Sequence, residues 1–279
     1  MKPGTLYVVA TPIGNLADLS PRARDVLEQV DLIAAEDTRH SQHLLSHFAI
    51  RTPMTSYHEH NESQQTQVLI DKLLAGVSIA LISDAGTPLL SDPGYRFLNA
   101  AHEHGIKVSP LPGPCAAVAA LSAAGLATDR FLFAGFAPAK AAARKQFFKE
   151  LANETATLVF YESSHRIVES LRDLRDELGG QRLVLLAREL SKTFETVYRT
   201  DLAAMCDWVQ ADANQQKGEF VLVLQGADKT RVTTAVEVSK VLAILLAELP
   251  LKQASALAAQ ITGEKKNLVY KMALELQPD

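Results

Sequence analysis

Leu6-Tyr7-Val8-Val9-Ala10 runs directly into Thr11-Pro12-Ile13-Gly14-Asn15, an apolar stretch that stops on a turn. A short apolar run bounded by Pro and Gly predicts a strand buried on both faces, with a stiff loop at its C-terminal end. The pattern then repeats along the chain. Ser20-Pro21 opens a helix, serine as N-cap and proline at the first helical position, with Ala23, Val26, Leu27 and Val30 as its apolar stripe. Asp31 to Ala35 predicts a second strand, and Leu44, Leu45 and Phe48 a second helix. A short strand near Met54, a helix over 62–74, the strand Ile79–Ile82, a helix over 95–104 and the apolar residues Val108 and Leu111 follow. Apolar strands alternating with helices predict a parallel sheet covered on both faces. The fold class is α/β.

Residues 114–226 predict a second α/β unit with more strand. It holds a small-residue helix, Ala116–Ala124, and strands at Phe131–Phe133, Thr157–Tyr161, Leu183–Ala187, Thr196–Arg199 and Phe220–Leu224. Helices fall near Lys145–Leu151, Ile167–Leu178 and Leu202–Val209, and the late strands predict a mixed sheet. Gly226 to Thr234 is polar and turn-prone and predicts a linker. Three helices follow, Val236–Leu249, Lys252–Ile261 and Lys265–Leu276, with Pro250 and Thr262-Gly263 as breaks. The expected division is 1–113, an N-terminal domain with a parallel sheet; 114–226, a domain with a mixed sheet; and 233–279, a small all-helical domain of helix–turn–helix proportions.

The chain has 279 residues, 47% hydrophobic and 22% charged, with a net charge of −4. A protein that binds nucleic acid over its whole surface is basic, so any RNA contact here is expected from local patches. Cys115 and Cys206 form no CxxC pair, which argues against a disulfide or a structural zinc site; no metal is expected, and a reducing cytoplasm is. The first apolar run is too short for a signal peptide, and later ones are broken well before the ~18 residues that span a bilayer. No membrane association is expected.

Ligands of open α/β sheets bind at the carboxyl ends of strands. Thr11–Asn15, Ser83-Asp84-Ala85-Gly86-Thr87-Pro88 continuing to Ser91-Asp92-Pro93-Gly94, Leu111-Pro112-Gly113-Pro114 and Tyr161-Glu162-Ser163-Ser164-His165-Arg166 all lie there. Glycine admits close backbone approach and proline fixes φ, so such loops present rigid N–H and C=O groups. The first loop has a single glycine and no GxxxxGK[ST] occurs, which argues against dinucleotides and ATP.

SDAGTPLLSDPG, with TPIGNLADLS before it and PLPGPCAA after it, resembles the tetrapyrrole methylase superfamily. Within it, AAEDTRHS (34–41), FYESSHRI (160–167), ARELSKTFE (187–195) and KGEFVLVL (217–224) resemble the family of small-subunit ribosomal RNA methyltransferases I. The resemblance spans nearly the whole chain with the motifs in order. It implies two α/β domains with S-adenosylmethionine in the cleft between them, and methylation of a cytidine ribose 2′-hydroxyl in small-subunit (16S) ribosomal RNA. It also implies a homodimer, with the RNA or the 30S particle as partner. Two alternatives remain at this point: a methylase of a tetrapyrrole or corrin precursor, and a non-catalytic ribosome-assembly factor that binds RNA.

Carried over residue by residue, the cofactor site is expected at Pro12 and Gly14; at Ser83, Asp84, Ala85, Gly86 and Pro88; and at Pro112, Gly113 and Pro114. Tyr161, Ala187 and Leu190 supply the second domain's side. A base to deprotonate the hydroxyl is expected among Glu36, Asp37, Glu162, His165, Glu189 and Lys192, with Asp37 and Glu189 preferred because each follows a strand beside an arginine. RNA contact is expected from Lys140, Arg144 and Lys145 in a small-residue loop, from Arg39 and Arg166, and from Lys265 and Lys266 in the helical tail.

Overall fold

Strand β1 (Thr5–Val9) is the spine of the first sheet, hydrogen-bonded on one side to β4 (Ile79–Ile82) and on the other to β5 (Lys107–Leu111). With β2 (Leu32–Ala35) and β3 (Met54–Ser56) the order is β3-β2-β4-β1-β5, every pair parallel. The computed structural model describes residues 2–276, and of 229–237 the backbone only. Helices α1 (Pro21–Gln29) and α2 (Thr38–His47) cover one face, where Leu27 and Leu45 pack on Val9, Ile33 and Ile82. Helices α3 (Glu62–Leu74) and α4 (Tyr95–Glu103) cover the other, where Leu69, Leu73 and Phe97 pack on Leu6, Ile79 and Leu81. Each such buried side chain contributes about 1.5–3 kcal/mol. Ser20 caps α1 by accepting from the Ala23 N–H at 3.1 Å, with Pro21 as the first helical residue. Because all five strands run in the same direction, their C-terminal ends share one rim.

The second sheet has the order β6-β7-β10-β8-β9, built from β6 (Phe131–Phe136), β7 (Thr157–Ser163), β8 (Leu183–Arg188), β9 (Thr196–Asp201) and β10 (Glu219–Leu224). Only β6 and β7 are parallel; β10 inserts antiparallel between β7 and β8. On one face lie α6 (Ala141–Glu150), α7 (Ile167–Leu178) and α8 (Leu202–Ala211). On the other lies α5 (Ala116–Ala123), whose Ala117 and Ala120 let it sit close to Val159, Ala187 and Val221. Helix α6 starts at Ala141, so the basic stretch expected as a loop is the first turn of a helix. Three consecutive alanines favour that outcome.

The C-terminal helices α9 (Lys229–Glu248), α10 (Leu251–Thr262) and α11 (Lys266–Leu276) share a separate core of Val238, Leu242, Ala258, Val269 and Ala273. Gly263 ends α10 in the left-handed region at φ 75°. Helix α9 begins at Lys229, not at Val236, and so takes in much of the expected linker. Residues 229–235 include neither Gly nor Pro, so nothing local stops the helix from extending backwards. No helix among the described residues is long and apolar enough to cross a membrane.

Candidate functional site

The rim of the first sheet is held together by its own loops. Thr11 and Gly86 exchange both backbone hydrogen bonds, at 2.9 and 3.0 Å, and Thr87 Oγ1 donates to Pro114 O at 3.0 Å. The loops after β2 and β4 lock reciprocally. The Asp84 N–H donates to Glu36 Oε2 at 3.3 Å, while the Asp37 N–H donates to Asp84 Oδ1 at 3.1 Å. Gly113 packs on Ala10 so closely that a Cβ there would lie 2.8 Å from the alanine's.

A cavity of about 500 Å³ opens between this rim and the second sheet, a volume that suits a small-molecule ligand. Ile13, Glu36, Asp84–Thr87 and Leu90–Asp92 form one wall; Phe136, Tyr161–His165, Ala187, Leu190, Lys192 and the segment 218–221 form the other. Leu89, Ser91, Glu189 and Ser191 around it have φ between 51° and 75°, unusual for residues with side chains. Backbone strain of this kind persists where the surrounding structure enforces it, and it concentrates at ligand sites.

Of the residues expected at the cofactor, Asp84, Ala85, Gly86, Tyr161, Ala187 and Leu190 line the cavity. Ser83 is buried beneath it, accepting at its carbonyl from Thr11 Oγ1 at 3.2 Å. Gly14 follows the lining residue Ile13, and Pro114 is tied to Thr87. Pro12, Pro88, Pro112 and Gly113 lie in the same loops without lining the cavity.

The carboxylates divide sharply. Glu162 is buried and accepts from Ser170 Oγ, the Ser163 N–H and Arg166, which makes it structural. Glu189 sits 2.8 Å from Lys192 Nζ and does not line the cavity; burial pushes its carboxyl up, but Lys192 and the Glu219 N–H outweigh that and hold it below its ordinary value. Asp37 caps α2, is outside the cavity lining, and is held down at about 2 by its hydrogen bonds to Arg39. Glu36 differs: burial raises its carboxyl, the Asp84 N–H offsets part of this, and Asp92, Asp84 and Asp37 add repulsion. Asp92 is likewise raised by burial, against a hydrogen bond from Ser83. The sequence places Asp92 in its loop but assigns it no role; its acidic partner across the fold, Glu36, is what identifies it. Burial also pushes the Tyr161 hydroxyl up to about 12, and that hydroxyl accepts from the Ala117 N–H at 3.2 Å.

Among the expected RNA contacts, Arg144 is a correction. It is 1% exposed, donating to Asp173 at 2.7 Å, to Glu169 at 3.3 Å and to Ala139 O at 3.3 Å. It shares a face of α6 with the buried Phe148 one turn on, so it points into the protein. Arg166 also faces inward in part, pairing with Glu162 at 3.0 Å and donating to Ala137 O at 3.1 Å. Lys145 is half-exposed, 3.5 Å from Asp173. Lys140, Lys265 and Lys266 are exposed, and Arg39, 91% exposed, is 2.9 Å from Asp37.

The cavity's chemistry tests which cofactor it fits. Glu36, Asp84 and Asp92 give it an acidic wall, and its one lysine is already paired with Glu189 and Glu219. That charge suits a cationic ligand and opposes a phosphate-bearing one. Rigid backbone and the apolar Ile13, Leu90, Ala187 and Val221 suit a nucleoside. The residues therefore fit a sulfonium-bearing nucleoside.

Comparison with known proteins agrees with this architecture. The family model of the tetrapyrrole (corrin/porphyrin) methylases matches residues 5–206, and that of the RsmI C-terminal HTH domain matches 232–277. The chain is 56% identical to the ribosomal RNA small subunit methyltransferase I of Pseudomonas aeruginosa over 99% of both chains. It is 55% identical to the protein of that name from Vibrio cholerae, over 97% of this chain and 94% of the relative. Its fold is shared with a uroporphyrin-III C-methyltransferase from Thermus thermophilus, solved in complex with S-adenosylhomocysteine, at TM-score 0.54 and 18% identity over 80% of this chain and 97% of the other. The chain belongs to the tetrapyrrole methylase superfamily and, within it, to the ribosomal RNA small subunit methyltransferase I family.

Proposed function

We propose that the protein is a cytoplasmic S-adenosylmethionine-dependent methyltransferase that methylates the ribose 2′-hydroxyl of a cytidine in 16S ribosomal RNA, and that it works as a homodimer. One observation carries the reading: a cavity with an acidic wall and a rigid backbone rim, in a chain more than half identical over 99% of its length to a relative named for small-subunit RNA methylation. Ile13 and Gly14, Asp84 to Gly86, and Tyr161, Ala187 and Leu190 would hold the cofactor. When bound, the cofactor supplies a methyl group already activated on a sulfonium.

The chain's own part is to place the ribose hydroxyl and to take its proton. Placement alone is worth about 7–11 kcal/mol when geometry is productive. Glu36 is the base we assign: it lines the cavity and has no cation partner among the described residues, and its raised carboxyl favours proton uptake. Asp37 and Glu189, the bases expected from the sequence, are each held by a cation and make poorer acceptors. Lys140, Lys265 and Lys266, exposed on two separate elements, would meet phosphates of the RNA or the 30S particle.

Nucleoside mass spectrometry of small-subunit RNA from cells lacking the protein tests the reading. Loss of a 2′-O-methylcytidine, restored by the wild-type gene, is expected; an unchanged level overturns it.

A further inference from the structure

We infer that Phe136 is the platform on which the target nucleobase stacks, which rests on the RNA-methylation reading and assigns within it the residue that positions the base. The strand carrying it is irregular for a reason. In a regular strand, residues three apart face opposite sides of the sheet. Phe133 and Phe136 nevertheless both meet Tyr161, with ring centroids 4.9 and 5.6 Å away. The pairing of β6 with β7 shifts between Phe133 and Gly135, and Gly135 has φ 64°. A bulge of this kind re-aims the side chain that follows it. Here it turns Phe136 onto the wall of the cavity, where it stays 51% exposed.

The chain beyond Phe136 is fixed from beneath. Ala137 O accepts from Arg166, itself paired with buried Glu162, and Ala139 O accepts from Arg144, itself paired with Asp173. These two arginines, expected from the sequence to face RNA, thus anchor the segment between Phe136 and the exposed Lys140. An aromatic ring and a cation are thereby presented at a set spacing, with no acid before Glu150. Ser91 and Asp92 on the opposite wall, with Ser163 and Ser164 on the ring's own wall, offer polar groups along the same cavity. One aromatic face, polar groups for a base edge and a cation for the backbone are what an unstacked nucleotide of single-stranded RNA requires.

The test compares Phe136→Ala, Phe136→Leu and Phe136→Trp with wild type, measuring kcat and KM for methyl transfer to isolated small subunits. Binding of S-adenosylmethionine by calorimetry and the thermal midpoint are followed in parallel. Phe136→Ala and Phe136→Leu are expected to raise KM roughly 5- to 100-fold while cofactor affinity stays within about twofold of wild type, and Phe136→Trp is expected to restore KM. An unchanged KM in Phe136→Ala, a Phe136→Leu variant equal to wild type, or a loss of cofactor affinity in place of the KM effect overturns the inference. Wild-type protein that transfers no methyl group to small subunits instead sinks the RNA reading itself, and the assignment of Phe136 with it.

Discussion

The side chain of Lys192 lies across Gly14: a Cβ on the glycine would overlap Lys192 Cγ and sit 2.8 Å from its Cε. The contact joins the loop after β1 to the loop after β8, and Ser191 Oγ donates to Asp18 beside it. The Lys192 ammonium continues to Glu189 at 2.8 Å and Glu219 at 3.0 Å. The cavity's two walls are thereby held in register at one end.

Gly14→Ala is accordingly expected to weaken cofactor binding. Its φ of 147° disfavours any side chain, and the methyl group would collide with Lys192. Strain of about 1–3 kcal/mol corresponds to roughly 5- to 100-fold in affinity. Lys192→Ala in the same chain relieves the collision but not the backbone strain, so calorimetry should show partial recovery.

Glu36→Gln is expected to trade activity for stability. Between the ordinary glutamate value and the raised value of Glu36, the folded protein binds more protons than the unfolded chain, so stability falls as pH rises through that window and stays lower above it. Removing the charge should raise the thermal midpoint at neutral pH and flatten its pH dependence. Loss of the base should lower kcat by about 10²–10⁴-fold and abolish the acidic limb of the pH–rate profile. A variant with wild-type kcat would contradict the assignment.

Arg144→Ala is expected to destabilise the second domain. Removing one partner of a buried ion pair costs about 3–5 kcal/mol, and the nearby Lys145 should hold the loss toward the lower figure. Urea unfolding measures it. Because the guanidinium is enclosed, the folded variant should keep the salt dependence of RNA binding unchanged.

Lys265→Glu with Lys266→Glu is expected to do the opposite, leaving stability and cofactor affinity alone while weakening small-subunit binding. Each lysine–phosphate pairing abolished should reduce the slope of log affinity against log salt by about one. An unchanged slope would remove these lysines from the interface.

Much of the fold is legible in the chain itself. Glu62–Leu74, Ile79–Ile82 and Ile167–Leu178 occupy the residues their periodicity and flanking turns predict. The place of β10 between β7 and β8 is not legible, because strand order is a matter of non-local pairing that no local pattern encodes. Arg144 is misleading because the small residues before it resemble a loop; its spacing from Phe148, one turn along a helix, is the signal that corrects it. The site's turns are recognisable as Gly and Pro at strand ends. Which carboxylate keeps a free face is not, since Glu36 and Asp37 are adjacent in sequence and only the fold sends one to the cavity and the other to Arg39.

The most direct measurement supplies purified protein with methyl-labelled S-adenosylmethionine and small ribosomal subunits from cells lacking it, then identifies the labelled nucleoside. Label is expected on a single 2′-O-methylcytidine, strongly reduced with Glu36→Gln. Label on a base atom, or none on the RNA while the donor still binds, would contradict it.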